Sequence, residues 1–168
     1  MPNWCEGTLK VRGKLENIRR WVKENLKCYE HKWCTTSDGK GKCISVEIEN
    51  AILDEHPDLE EEYCLKITHL AHIKSSRRHF VKPDGYWCTS NDNGIAVLEL
   101  NFQSAWEIDE EPFLSMSKTY NVDFRFFGFE RNMCFNQELL IENGKLIKNE
   151  EIEFDDYSWE CPFSNLGG

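Results

Sequence analysis

Twice in this chain a short alternating strand runs straight into an amphipathic helix, and that pattern limits the fold more than any other feature. In the first instance Thr8-Leu9-Lys10-Val11-Arg12-Gly13 alternates and Gly13 interrupts it. Leu15, Ile18, Trp21, Val22 and Leu26 then form one helical stripe, with Arg19, Arg20, Lys23 and Glu24 on the wet face. In the second, Ala96, Leu98, Leu100 and Phe102 share a strand face, and Asp109-Glu110-Glu111-Pro112 begins a helix that runs to about Tyr120. Asp caps free amides, acids suit the positive end of the helix dipole, and Pro is tolerated in the first turn. Each helix leads on to a further alternating strand, Ile44, Val46, Ile48 in one case and Val122, Phe124, Phe126 in the other. The order strand–helix–strand, over 8–13, 15–27, 43–49 and again over 95–103, 109–120, 121–128, predicts an α+β fold. Its expected form is a ferredoxin-like βαβ…βαβ sandwich, an antiparallel sheet with helices on one face.

The remaining segments attach to that frame. Residues 28–43 are polar, cysteine-rich and broken by Asp38-Gly39 and Gly41, so they read as a loop or hairpin tip. No clean period runs through 51–79, and 80–94 carry Pro83, Asp84-Gly85 and Asn93-Gly94; together they read as an irregular insertion at about 50–94. Residues 133–148 form a hairpin about Asn143-Gly144, a pair that supplies the positive φ angles of a type I′ turn. One domain is expected over 1–148, followed by an acidic, aromatic C-terminal extension over 149–168.

Charge is unevenly spread. Residues 1–50 hold ten basic and seven acidic side chains, whereas residues 101–168 hold five basic and fourteen acidic. Phosphate affinity comes from Lys and Arg displacing condensed counterions, so a chain of formal net charge −10 is a poor coat for nucleic acid. An acidic C-terminal third attracts a basic protein surface instead. The candidate partner-binding residues are Glu150, Glu151, Glu153, Asp155, Asp156, Tyr157 and Trp159, carboxylates interleaved with anchoring rings. No window approaches the ~20 apolar residues of a membrane span, and the N-terminus lacks a signal-peptide core, so a cytoplasmic location without a membrane is expected.

Eight cysteines without an export signal read as reduced thiols, buried or metal-bound. The densest group is Cys28-x2-His31-x2-Cys34 with Cys43 beyond it, a donor set that would suit tetrahedral zinc; His69 and His72 could add ligands if 58–72 were helical. No phosphate loop, nucleophile elbow or metalloprotease helix occurs, so no enzyme is expected and no cofactor other than that zinc. The stretch Arg125–Asn132 meets four of the seven specified positions of the RNA-recognition strand motif. A single-stranded nucleic-acid binder using Phe124, Phe126 or Phe127 with Arg77, Arg78 and Arg125 is therefore the alternative function.

Met1-Pro2-Asn3-Trp4-Cys5, with Thr8–Gly13 and a helix behind it, resembles the opening of the YubB-type ferredoxin-like family of phage and plasmid proteins. Ser104-Ala105-Trp106, Leu114-Ser115, Tyr120–Phe124, Gly128-Phe129-Glu130 and Cys134-Phe135 are similar to its later part. The resemblance implies a mobile-element setting in a bacterial host and supplies no catalytic residue. With the charge pattern it leads to the expectation of an accessory protein acting by protein binding. Such a protein would inhibit a host defence nuclease, for instance a CRISPR effector, by occupying its basic groove.

Overall fold

The computed structural model describes residues 3–35 and 39–153. Along the chain lie β1 (Trp4–Lys14), α1 (Leu15–Asn25), β2 (Leu26–Thr35), β3 (Gly41–Glu47), β4 (Ile52–Asp54), β5 (Glu62–Ile67), β6 (Ala71–Ile73) and β7 (His79–Val81). β8 (Asp84–Thr89), β9 (Ile95–Ala105), α2 (Glu110–Tyr120), β10 (Val122–Glu130), β11 (Phe135–Glu142) and β12 (Lys145–Glu153) complete it. Nine strands make one antiparallel sheet in the order β12-β11-β10-β1-β9-β7-β6-β2-β3, and β4-β5-β8 make a second, smaller one.

This architecture overturns the expected ferredoxin-like sandwich: the described residues are mostly β, with two helices among them. The difference arises in the two segments without a clean period. Residues 50–94 are not an irregular insertion but hold five strands, and two of them, β6 and β7, enter the large sheet between β2 and β9. Each is only three residues long, too short to leave a readable alternation. Residues 28–43 are a second departure, since β2 and β3 pair through them in unbroken register from Tyr29↔Glu47 to Thr35↔Gly41.

β1 is the axis of the large sheet. It pairs with β9 from Trp4↔Ala105 to Lys14↔Ile95 and with β10 from Glu6↔Phe129 to Gly13↔Val122. Its odd residues Cys5, Leu9 and Val11 are buried beneath the helices, while Lys10 and Arg12 point to the open face. Gly7 sits opposite Gly128, where a Cβ would overlap the Phe127 carbonyl; the Phe126 ring lies over Gly128.

Both helices lie on the same face. α1 turns its Leu15, Ile18, Trp21 and Val22 stripe to the sheet, and α2 is capped by Asp109 Oδ1, which accepts from Glu111 N at 3.2 Å. It ends at Asn121 in the left-handed region, φ 53°. The two meet through Trp21, whose Nε1 points at Met116 Sδ, 3.2 Å away, and through Tyr120 Oη donating to Glu24 at 2.9 Å. Beneath them Trp21, Phe124, Phe113, Phe102 and Phe126 form a chain of edge-on and steeply tilted rings with centroids 5.2–6.1 Å apart.

Trp21 is fully buried at one end of this ring chain, edge-on to Phe124. Trp21→Ala should cost about 3–5 kcal/mol of unfolding free energy, read as a lower urea midpoint at unchanged slope.

Candidate functional site

The metal quartet does not assemble. In the regular β2–β3 register, Cys28 and Cys34 face one side of the ribbon, while His31 and Cys43, which sits opposite Trp33, face the other. Cys28 is buried against the body, with Sγ donating to His69 O at 3.4 Å, and His31 Nδ1 is 3.1 Å from Ser45 Oγ. No three His, Cys, Asp or Glu side chains among the described residues are grouped to hold a metal. His69 and His72 are not on a helix. His69 precedes β6, and the His72 ring is wedged edge-on between Phe80 at 4.7 Å and Tyr29 at 5.4 Å, where burial lowers its pKa.

The candidate nucleic-acid rings fare similarly. Phe124 and Phe126 are core residues under the helices. Phe127 is half-buried on the open face, and Arg125 beside it reaches Glu138 at 3.1 Å. Indeed the open face is a lattice of paired charges. Lys10 meets Glu99, Arg12 meets Asp123 and Glu142, Lys82 meets Glu6, and Lys148 meets Glu138 and Glu150, all at 2.5–3.1 Å. Cations already answered by carboxylates have little to offer phosphate.

A different grouping emerges where β9, β10 and β12 all end. Trp106, Glu107, Met133, Phe135, Glu151 and Glu153 line a pocket of about 240 Å³. Trp106 is 47% and Met133 60% exposed. Glu107, Glu151 and Glu153 are exposed and have no ion-pair partner among the described residues. Glu150, by contrast, faces the other side of β12 and pairs with Lys148. Asp155, Asp156, Tyr157 and Trp159 lie outside the described residues.

The rings at this corner are held out by a set of clamps. Trp106 has φ 69°, a backbone state that a bulky residue holds only where its surroundings fix it. Here Trp106 N donates to Asn3 O at 2.8 Å, and Ser104 Oγ donates to Glu107 O at 2.9 Å. Gln137, buried in β11, acts as a piece of backbone: Oε1 accepts from Ile108 N at 2.7 Å and Nε2 donates to Ile108 O at 3.1 Å. His79 Nε2 accepts from Asp109 N at 3.1 Å. On the other side, the buried Glu130 carboxylate accepts from Asn132 N and Met133 N, fixing the turn that lifts Met133 outward.

The field at the corner is negative. Burial pushes the nearby Cys5 thiol up to about 12, and Glu130, Glu151, Glu6 and Glu107 add to the effect. Burial likewise raises Cys88 to about 11. Both are protonated, unreactive thiols at neutral pH. All seven cysteines among the described residues are free.

Comparison with protein-family models, with characterised proteins and with solved structures gives no match to this chain, so its likeness to the YubB-type family rests on the residues quoted above. Among the described residues no helix is long and apolar enough to cross a membrane. Of the corner, the sequence pattern singled out Glu151 and Glu153 but passed over Trp106, Met133 and Glu107. A tryptophan directly between an alternating strand and a helix cap is the one signal that could have found it.

His79 makes one clamp sensitive to pH. Because Nε2 accepts, the proton sits on Nδ1, which has no partner in its buried site. Burial lowers the pKa to about 4, with Asp109 opposing and Arg78 reinforcing the shift. The unfolded chain therefore binds a proton below its ordinary pKa of 6.5 that the folded chain refuses until about 4. The stability in question is complete above pH 6.5 and is lost as pH falls towards 4, at up to about 1.4 kcal/mol per pH unit. Denaturation across this range should show a steeper acid-side loss in the wild type than in His79→Leu, the difference between the two curves isolating this group.

Proposed function

We propose that the protein acts by binding another protein through the Trp106–Met133 corner, and that the partner presents a basic surface with an apolar centre. The observation that carries this reading is a contrast within one molecule. Carboxylates on the open sheet face are matched to Lys and Arg, whereas Glu107, Glu151 and Glu153 have no ion-pair partner among the described residues and surround two exposed apolar side chains. Unpaired charge speeds encounter and sets orientation, and a large ring beside a pocket supplies the contact that holds. Rigidity helps as well, since a clamped loop has less freedom to lose on binding.

A nucleic-acid-handling enzyme is the partner class that this chemistry fits, because its substrate groove is basic and lined with surfaces for bases. With the mobile-element setting that the YubB-type likeness implies, the reading becomes inhibition of a bacterial defence nuclease such as a CRISPR effector, in the host cytoplasm. On this reading the protein is a binder and not an enzyme.

Inhibition assays across RNA-guided and restriction-type nucleases test this. Wild-type protein should inhibit at least one, less at high salt, and Glu107→Lys/Glu151→Lys/Glu153→Lys or Trp106→Ala should each weaken inhibition by about tenfold or more, the equivalent of about 1.4 kcal/mol. Inhibition unchanged by both variants, or none of any nuclease, would contradict the proposal.

A further inference from the structure

Beyond β9, where β7, β6 and β2 follow, rings take over the open face of the large sheet. Trp4 stands opposite Ala105 in the β1–β9 ladder, and Phe80 opposite Gln103 in the β7–β9 ladder. His72 faces Phe80 on one side and Lys27 on the other, and alternation puts Tyr29 on the same face as Lys27. Ala105 is small enough for the Trp4 indole to reach over it. The rings therefore join across the strands: Trp4 to Phe80 at 5.6 Å, Phe80 to His72 at 4.7 Å and His72 to Tyr29 at 5.4 Å, each pair edge-on. Trp4, His72 and Tyr29 are only half-buried, and Trp33, further along β2 on the same face, is 74% exposed.

Cations stand at the Trp4 end of this ladder. Lys74 N donates to Asn25 O at 2.7 Å and Ala105 N donates to Arg78 O at 2.8 Å, so the pairing of β6 and of β7 runs on past the strand ends. Alternation runs on with it, placing Lys74 beyond His72 and Arg78 before Phe80 on the ring face, with Arg77 exposed in the turn between them. None of the three has an ion-pair partner among the described residues. The carboxylates that register brings near the rings are answered: Glu6, opposite Gln103, by Lys82 and Glu47, opposite Tyr29, by Lys27, both at 2.8 Å. The acids of β12 lie five strand spacings from β7, about 24 Å, beyond the Debye length of about 10 Å at 0.1 M salt.

We propose that this ladder binds single-stranded nucleic acid, with bases stacked on its rings and phosphates at Lys74, Arg77 and Arg78. Rings alone would suit any apolar partner, and cations alone any anion. A single strand is the polymer that alternates flat apolar bases with phosphates, and stacking tolerates any sequence because every base has a π face. In a duplex those faces are already stacked on one another. Burial and the neighbouring His31 hold His72 below its ordinary pKa, so at neutral pH it joins the ladder as an uncharged ring. The inference goes beyond the proposed function and does not rest on it, since the acidic corner takes a protein and the ladder a nucleic acid.

Fluorescence anisotropy of a labelled oligothymidylate of about 12 nucleotides, within the site sizes of such platforms, is the test. At about 50 mM salt the full chain should bind it with a Kd of about 10 μM or tighter. Unlabelled oligouridylate should compete, and the matched duplex should not. Tyr29→Ala/Trp33→Ala should weaken binding about fivefold or more. Arg77→Glu/Arg78→Glu should weaken it about tenfold or more and flatten its salt dependence, with circular dichroism unchanged in both variants. Glu107→Lys/Glu151→Lys/Glu153→Lys should still bind the oligonucleotide even where it no longer inhibits a nuclease, so either reading can fail without the other. No binding at this salt, as when the rings serve a protein instead, overturns the inference. Equal competition by duplex, or an affinity that either the ring variant or the arginine variant leaves unchanged, overturns it as well.

Discussion

Everything in this structure is placed with reference to β1, which is hydrogen-bonded along nearly its whole length on both sides. Because β9 and β10 are both antiparallel to it, they run parallel to each other, and α2 is the crossover between them. Three consequences follow from the register. The odd side chains of β1 enter the core under the helices, its even ones enter the open-face charge lattice, and the ends of β9 and β10 fall beside Trp4 at its start. There the chain must turn from β9 into α2, and the Trp106–Asp109 loop does so over a carboxylate-rich edge.

The charges of this acidic protein divide into two populations. Across the open face Lys10, Arg12, Lys82, Arg125 and Lys148 each find a carboxylate, an arrangement that contributes modestly to stability and offsets much of the local field. At the corner Glu107 and Glu151 have no such answer among the described residues, and both add to the field on the buried Cys5. Net charge alone could not make this distinction; pairing across strands does. At the other end of the sheet the β2–β3 ribbon leaves Trp33 largely exposed, with Lys32 and Lys42 on its opposite face.

How much of this was legible depended on element length. α1 and α2 were readable because a stripe of Leu15, Ile18, Trp21 and Val22, or a cap at Asp109, spans several turns. β1, β9 and β10 were readable because they alternate over nine or more residues. β6 and β7, at three residues each, carry too little pattern, and without them nothing joins β2 and β3 to β9 in one sheet. The ribbon was misread because both its faces are wet, which removes the apolar alternation by which a strand is recognised. The spacing of Cys28, His31, Cys34 and Cys43 suits a metal site in a loop or at a hairpin tip; in the paired ribbon, parity sends two to each face. At the functional corner the acids of β12 are visible in sequence, but the loop that presents Trp106 is held by Gln137, 29 residues from its partner Ile108, and by Asn3 O on the Trp106 amide, roles that no local pattern announces.

The account stands on the rigidity of the loop that presents Trp106. Hydrogen exchange resolved at single amides tests that directly. The Ile108 and Asp109 amides, held by Gln137 Oε1 and His79 Nε2, should exchange as slowly as those in the middle of β1, although they belong to no strand or helix. Replacing Gln137 with Leu should release Ile108 while leaving β1 protected. Exchange of both amides at the rate of an unstructured peptide in the wild type would show that the corner is not preformed, and would contradict the account.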